Sequence, residues 1–131
     1  MIFVDTSAWY SRYVWKDPNH AAAKRFDDQP HDEFVTSDYI IDELLTLLKS
    51  RGNVERAVEV GNVLFAGELA EIEWVSKEDV GQAWEIFELY RDKEWSFTDC
   101  VSLAMMRRLG ITKAFAFDQH FRQFGTVTVL P

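Results

Sequence analysis

Short apolar runs alternate along the chain with longer stretches in which apolar residues recur every three to four positions, and this alternation predicts the order of elements. Ile2-Phe3-Val4 reads as a buried strand ending at Asp5, and the hydroxyls of Thr6-Ser7 suit the cap of a helix starting near Ala8. That helix carries Trp9, Tyr10, Tyr13, Val14 and Trp15. Trp9 and Tyr13 are one helical turn apart, as are Tyr10 and Val14, so a broad aromatic face results. Asp17-Pro18 predicts a stop and a fresh start, with Asp17 as cap and Pro18 at the first position of a helix reaching about Phe26. Glu33 to Thr36 is a second strand, and Thr36-Ser37-Asp38 supplies caps for an apolar-periodic helix that ends near Ser50.

The second half repeats the scheme. A helix is expected from Val54 to Gly67, with Gly61 as a weak point in its middle. Ile72 to Val75 alternates as a third strand, and Ser76-Lys77-Glu78-Asp79 resembles a capping box before a helix carrying Ala83, Trp84, Phe87 and Tyr90. Ser96 opens another helix, through Val101, Leu103, Ala104, Met105 and Leu109, which Gly110 ends. Lys113 to Phe117 and Thr126 to Leu130 complete five strands. Strands separated by one or two helices predict an α/β fold, a three-layer α/β/α domain with a mainly parallel central sheet. No repeat, linker or phosphate-cradling glycine loop interrupts it, so residues 1–131 are expected to form a single domain.

Composition narrows the functional classes. With 131 residues, 47% of them hydrophobic, the chain has ample material for one core. No segment approaches the roughly 18 uncharged apolar residues of a membrane span, and there is no basic leader, so a cytoplasmic protein with no membrane association is expected. Cys100 is the sole cysteine, which rules out an internal disulfide and fits a reducing compartment. The formal net charge of −8 argues against a general positive surface for nucleic acid. A nuclease remains compatible, because a carboxylate cluster that binds divalent cations contributes to such a deficit.

Four acids stand where a parallel fold gathers side chains: Asp5 after the first strand, Glu43 in an apolar helix, Asp99 in the first turn of another, and Asp118 after Ala114-Phe115-Ala116-Phe117. Each has an ordinary reading. Asp5 can cap a helix, Asp99 can complement a helix N-terminus with Ser96 as its partner, Asp118 can form an Asx turn, and Glu43 can pair with an arginine. The joint pattern asks for more. Strand ends and helix N-termini emerge on one rim of a parallel sheet, and carboxylates converging there repel one another unless a cation sits between them. Oxygen ligands with no histidine or cysteine nearby select Mg²⁺ or Mn²⁺ over zinc. His20 and His31 are expected at the surface; His120, close to Asp118, suits either contact with a substrate phosphate or packing of its loop.

The strand into Asp5-Thr6-Ser7, the Glu43-Leu44 helix, the Thr98-Asp99 helix start and Phe117-Asp118-Gln119-His120-Phe121 together resemble the PIN-domain ribonucleases along the full length of the chain. The small size is similar to the VapC-type toxins of toxin–antitoxin pairs. The resemblance implies a metal-dependent endoribonuclease with Asp5, Glu43, Asp99 and Asp118 as its acidic set, Mg²⁺ or Mn²⁺ as cofactor, RNA as substrate, an antitoxin as partner and a homodimer. Asp42 neighbours Glu43, but Glu43 precedes the leucine pair as the pattern requires. Thr6, Ser7 and Thr98 are candidates to hold these carboxylates or a scissile phosphate. Two rival readings are a noncatalytic binding module whose acids cap helices and a phosphatase with Asp5 as nucleophile. The latter wants a second aspartate two residues on, where this chain has Ser7. Trp95 reads either as a base-stacking ring or as a structural wedge, and part of the aromatic face of Trp9, Tyr10, Tyr13 and Trp15 is expected to meet a partner.

Overall fold

The structure, a computed structural model, describes residues 1–131. The chain runs β1 (Ile2–Val4), α1 (Thr6–Tyr13), α2 (His20–Asp28), β2 (Phe34–Ser37), α3 (Asp38–Ser50), α4 (Val54–Phe65), β3 (Glu71–Glu73), α5 (Lys77–Leu89), α6 (Phe97–Leu109), β4 (Lys113–Phe115), α7 (His120–Gln123) and β5 (Thr128–Leu130). The five strands form one sheet in the order β3-β2-β1-β4-β5, and every neighbouring pair is parallel. Phe3 pairs with Val35 on one side and Ala114 on the other, so β1 is the sheet's centre and is wholly buried. Right-handed crossovers place α1 to α4 on one face, as the chain steps outward from β1 to β3. The return from β3 to β4 carries α5 and α6 over the other face. The order therefore reverses between β1 and β4, which is the position where ligands bind in open parallel sheets.

Local chemistry explains the boundaries. Asp5 itself caps α1 by accepting the Ser7 N–H, so the helix begins at Thr6 rather than Ala8. Pro18 does not start α2: Asp17 accepts from Ser11 Oγ and from the Asn19 N–H, and this holds residues 17–19 in a turn before a helix that begins at His20. Strand β3 stops at Glu73 because Asp38 Oδ1 draws the Val75 N–H at 2.8 Å, and β4 stops at Phe115 because Ser7 Oγ accepts the Phe117 and Asp118 N–H groups. Helix α4 continues through Gly61, which is buried with Leu45 so near that a β-carbon would lie 3.5 Å from its Cδ2. Gly110 ends α6 at φ 67°, a left-handed conformation suited to glycine. The single turn α7 is an addition to the expected elements.

The core fills both faces of the sheet with Phe3, Leu44, Leu48 and Leu64 among the residues contributed by β1, α3 and α4, and Leu103, Met105 and Phe115 by α6 and β4. Helix α6 is buried along nearly all of Asp99–Met106, so its first turn is held rigidly. A second polar knot fixes α5 against α6. The Arg108 guanidinium grips buried Asp79 at 2.7 and 2.9 Å, while Asp79 also accepts the Ser76 N–H of its capping box.

Candidate metal centre

Asp5 leaves the centre of the sheet at the C-terminal end of β1 and is almost fully buried, at 3% exposure. Its Oδ2 accepts from Ser7 Oγ at 2.6 Å and from the Ser7 N–H at 3.1 Å. The Ser7 hydroxyl also accepts the backbone N–H groups of Phe117 at 2.9 Å and Asp118 at 3.1 Å. One hydroxyl thus ties the start of α1, beside Asp5, to the loop after β4 that carries Asp118.

Asp99 occupies the third position of α6 in a capping box with Ser96, whose hydroxyl accepts the Asp99 N–H at 3.0 Å and whose own N–H reaches Asp99 Oδ2 at 2.9 Å. The capping reading of Asp99 is therefore real, and it does not use up the carboxylate. The same Oδ2 meets His120 Nδ1 at 2.8 Å, and Asp118 Oδ1 lies 3.4 Å from that nitrogen while accepting the His120 N–H at 2.9 Å. Donor atoms of Asp99, Asp118 and His120 all lie within 4.8 Å of one another. Glu43 projects from α3 about one and a half turns past Asp38. Beside it Thr6 Oγ1 is buried and faces the Glu43 carboxyl without a well-formed hydrogen bond. Thr98 is half-buried and makes no side-chain hydrogen bond.

The electrostatics match this crowding. Burial, with the negative charges of Asp99 and Glu43 adding to it, pushes the Asp5 carboxyl up to about 7 against the lowering effect of Ser7. Burial also raises Glu43, helped by Asp99, Asp118 and Asp42. Each of the four acids thus lies within the field of others in the set, and none is matched by a lysine or arginine salt bridge. Burial works against the His120 cation, yet the Asp99 hydrogen bond and the charges of Asp118 and Glu94 hold its pKa above the ordinary value. Two buried and two half-buried carboxylates without a lysine or arginine among them, together with an orphaned hydroxyl, form a donor set that fits a divalent cation.

The expectation that no histidine stands near the acids is corrected here: His120 bridges two of them. Its Nδ1 is engaged with Asp99, so the ring orients the carboxylates. The Asp118-Gln119-His120 spacing carried the only hint of this, and the bridge depends on the loop that Ser7 folds. His20 and His31 are remote, the former against the Ser11 carbonyl and the latter stacked 4.0 Å from Phe34. Trp95 is buried, donates to Gln123 Oε1 at 2.7 Å and packs edge-on against Phe124, so it is a structural wedge. Burial pushes the Cys100 thiol up to about 11, which leaves it a neutral core residue.

Comparison with known proteins agrees with this geometry. The family model described as PIN domain matches residues 2–127. The 23S rRNA-specific endonuclease VapC20 of Mycobacterium tuberculosis is 36% identical over 131 residues, covering 100% of this chain and 99% of that protein. Its crystal structure, described as a sarcin–ricin loop cleaving toxin, superposes with a TM-score of 0.92 over 100% of both chains at 35% identity. Ribonuclease VapC26 of the same organism is 27% identical over 136 residues, covering 99% of this chain and 100% of its own. A toxin–antitoxin complex from Klebsiella pneumoniae shares the fold, with a TM-score of 0.69 at 12% identity over 98% of this chain and 96% of that one.

Proposed function

Since the chain belongs to the PIN-domain family, we propose that it is a divalent-metal-dependent endoribonuclease and the toxin of a type II toxin–antitoxin pair, with residues 1–131 as one nuclease unit acting in the cytoplasm. The observation that supports this reading is the gathering of Asp99, Asp118 and His120 donor atoms within 4.8 Å of one another, with Asp5 and Glu43 in the field of Asp99 and no salt-bridging lysine or arginine among the acids.

Asp5 and Asp99 would be the principal ligands for Mg²⁺, with Mn²⁺ able to replace it, and Glu43 and Asp118 would complete the site. A bound divalent ion supplies an activated water and offsets charge on the phosphoryl oxygens. The chain's own residues set the geometry. Ser7 holds Asp5 and the Asp118 loop in one register, and Ser96 with His120 holds Asp99 Oδ2, leaving Oδ1 free of hydrogen bonds. Glu43, raised chiefly by its burial, would orient the attacking water and take its proton, with the Thr6 hydroxyl beside it. Thr98 offers its free hydroxyl to the scissile phosphate. Ser7, a bound hydroxyl at the position where a phosphatase of the aspartyl-nucleophile type needs a second acid, gives that rival no support.

The substrate is RNA, and likeness to VapC20 makes 23S rRNA the first molecule to test. An antitoxin partner and a homodimer complete the proposal. Trp84 and Phe87, stacked at 5.8 Å and exposed on α5, are available apolar surface for association. The deciding experiment purifies the chain free of any partner and incubates it with 23S rRNA, tRNA and mRNA in Mg²⁺, Mn²⁺ and EDTA. Cleavage that needs the metal and disappears in Asp99→Asn is expected. Metal-independent cleavage, or an Asp99→Asn variant as active as the parent, would reject the assignment. Gel filtration tests the dimer.

A further inference from the structure

Helix α1 starts at the acidic cluster and runs away from it, and its outward side carries an unusual set of pairs. Arg51 lies 4.8 Å over the Tyr10 ring, Arg12 5.0 Å over Tyr13, and Lys16 5.4 Å over Trp15. These are all the cation–π pairs of the molecule, and all rest on one helix and the turn that follows it. Only Trp9 of the aromatic group is sealed into the core, where its Nε1 donates to Thr36 Oγ1. Trp15 is 69% exposed. A large ring left in water with a lysine over its face has no role in folding that its neighbours explain. Several cations elsewhere are spent on carboxylates: Arg108 on Asp79, Lys113 on Asp32, Lys24 on Asp28. Arg12 and Arg56 also hold Asp27 and Glu59, but Lys16 and Arg51 hold no carboxylate.

We propose that this strip, Tyr10, Arg51, Tyr13 and Trp15 with Lys16, is a track that holds the RNA strand beside the cleavage site, by stacking a base on the exposed Trp15 ring and pairing phosphates with Lys16 and Arg51, which Tyr10 and Tyr13 flank. The proposal deepens the ribonuclease reading and rests on it. An exposed ring beside cations that hold no carboxylate matches a polyanion with an unstacked base, on a protein whose net charge of −8 repels nucleic acid elsewhere. The placement fits as well. Helix α1 covers about 12 Å from Asp5 to Tyr13 at the helical rise, with Trp15 in the turn just beyond, so a strand with its scissile phosphate at Asp5 reaches the exposed ring within a few nucleotides.

The test measures binding apart from cleavage. Fluorescence anisotropy of a labelled single-stranded RNA of mixed sequence is followed in Mg²⁺ with the Asp99→Asn protein, alone and combined with Trp15→Ala, Arg51→Ala or, as a control on the opposite rim, Lys113→Ala. Trp15→Ala is expected to weaken binding about tenfold at every salt concentration, as loss of one stacked base does. Arg51→Ala is expected to lower the slope of log affinity against log salt by about 0.7, one phosphate contact on a single strand. In the otherwise wild-type protein both raise KM and leave kcat in place. Unchanged RNA affinity in both variants overturns the track, and so does loss of dimer or of antitoxin capture with RNA binding intact, which assigns the strip to a protein partner. Failure of the parent to cut RNA strikes the nuclease reading, while the binding measurement still judges the track.

Discussion

Replacing Asp5 by asparagine should make the metal-free protein more stable at neutral and alkaline pH, and by an amount that the structure sets. The Asp5 carboxyl is held up at about 7, against 3.8 in an unfolded chain. The difference is about three units, and at 1.36 kcal/mol for each the ionised form costs the fold about 4 kcal/mol. The sign follows from which state keeps the proton. Between pH 4 and pH 7 the folded chain holds a proton that the unfolded chain has released, so stability falls as pH rises through that window and is level above it. Glu43, also raised, acts in the same direction, whereas Asp79, whose pKa is lowered, acts in the opposite one at acid pH. Comparing parent with Asp5→Asn cancels Asp79 and leaves the Asp5 charge together with its repulsion of Glu43. Asparagine keeps the shape and still accepts the Ser7 N–H, so the difference isolates the charge. In EDTA the two proteins should unfold at similar temperatures near pH 4, and the variant should gain roughly 10 °C by pH 8, given a few degrees per kcal/mol for a chain of this size. Saturating Mn²⁺ should reverse the order, because only the parent offers the ion its full set of carboxylates. Thermal unfolding followed by circular dichroism over this pH series is the assay. A parent and variant that stay parallel from pH 4 to pH 8 without metal would refute the idea that burial and crowding make Asp5 costly to ionise.

Other consequences are as concrete. Ser7→Ala removes the hydroxyl that joins Asp5 to the Phe117 and Asp118 N–H groups, and should reduce activity or metal affinity about 10- to 100-fold, measured by cleavage rate and by Mn²⁺ titration calorimetry. His120→Ala leaves Asp99 Oδ2 with the Ser96 N–H alone and should weaken Mn²⁺ binding by about tenfold with little change in far-UV circular dichroism; binding as tight as the parent's would remove the bridge from the scheme. Arg108→Gln leaves the buried Asp79 carboxylate with only its Ser76 partners and should cost about 2 kcal/mol in urea unfolding at pH 7, a figure reduced because Arg108 is partly exposed. Burial alone would raise Asp79, but Arg108 and Ser76 outweigh it and hold its pKa low, so the parent's contribution is present above about pH 4 and disappears as pH falls further, and the variant should show a shallower acid arm.

The order of elements could be read from the sequence because apolar spacing changes from strand runs to helical periods at each boundary. Boundaries that depend on distant groups could not. Phe117 looks like strand by composition, yet its N–H is taken by Ser7, 110 residues earlier in the chain. Asp17-Pro18 has the local signature of a helix start, and a contact with Ser11 turns it to a different use. One turn such as α7 is too short to show any period at all.

The acids were conspicuous for the same reason that they are costly. Asp99 lies in a helix whose next seven residues are buried, and Glu43 sits among Ile40, Ile41 and Leu44, all sealed in the core. A fold selected for stability alone would not place ionisable groups there and leave them without lysine or arginine partners, since each raises the free energy of its neighbours' charged forms. What sequence could not display is the apparatus that keeps them in register, because it consists of hydrogen bonds between segments far apart: Ser7 to the Asp118 loop, Ser96 and His120 to Asp99. These contacts hold the carboxylates close against their repulsion in the absence of metal. On the proposed reading the same contacts would spare a divalent ion the work of gathering its ligands. Stability given up at Asp5 would then be the counterpart of a site organised before its cation arrives, recovered when that cation binds.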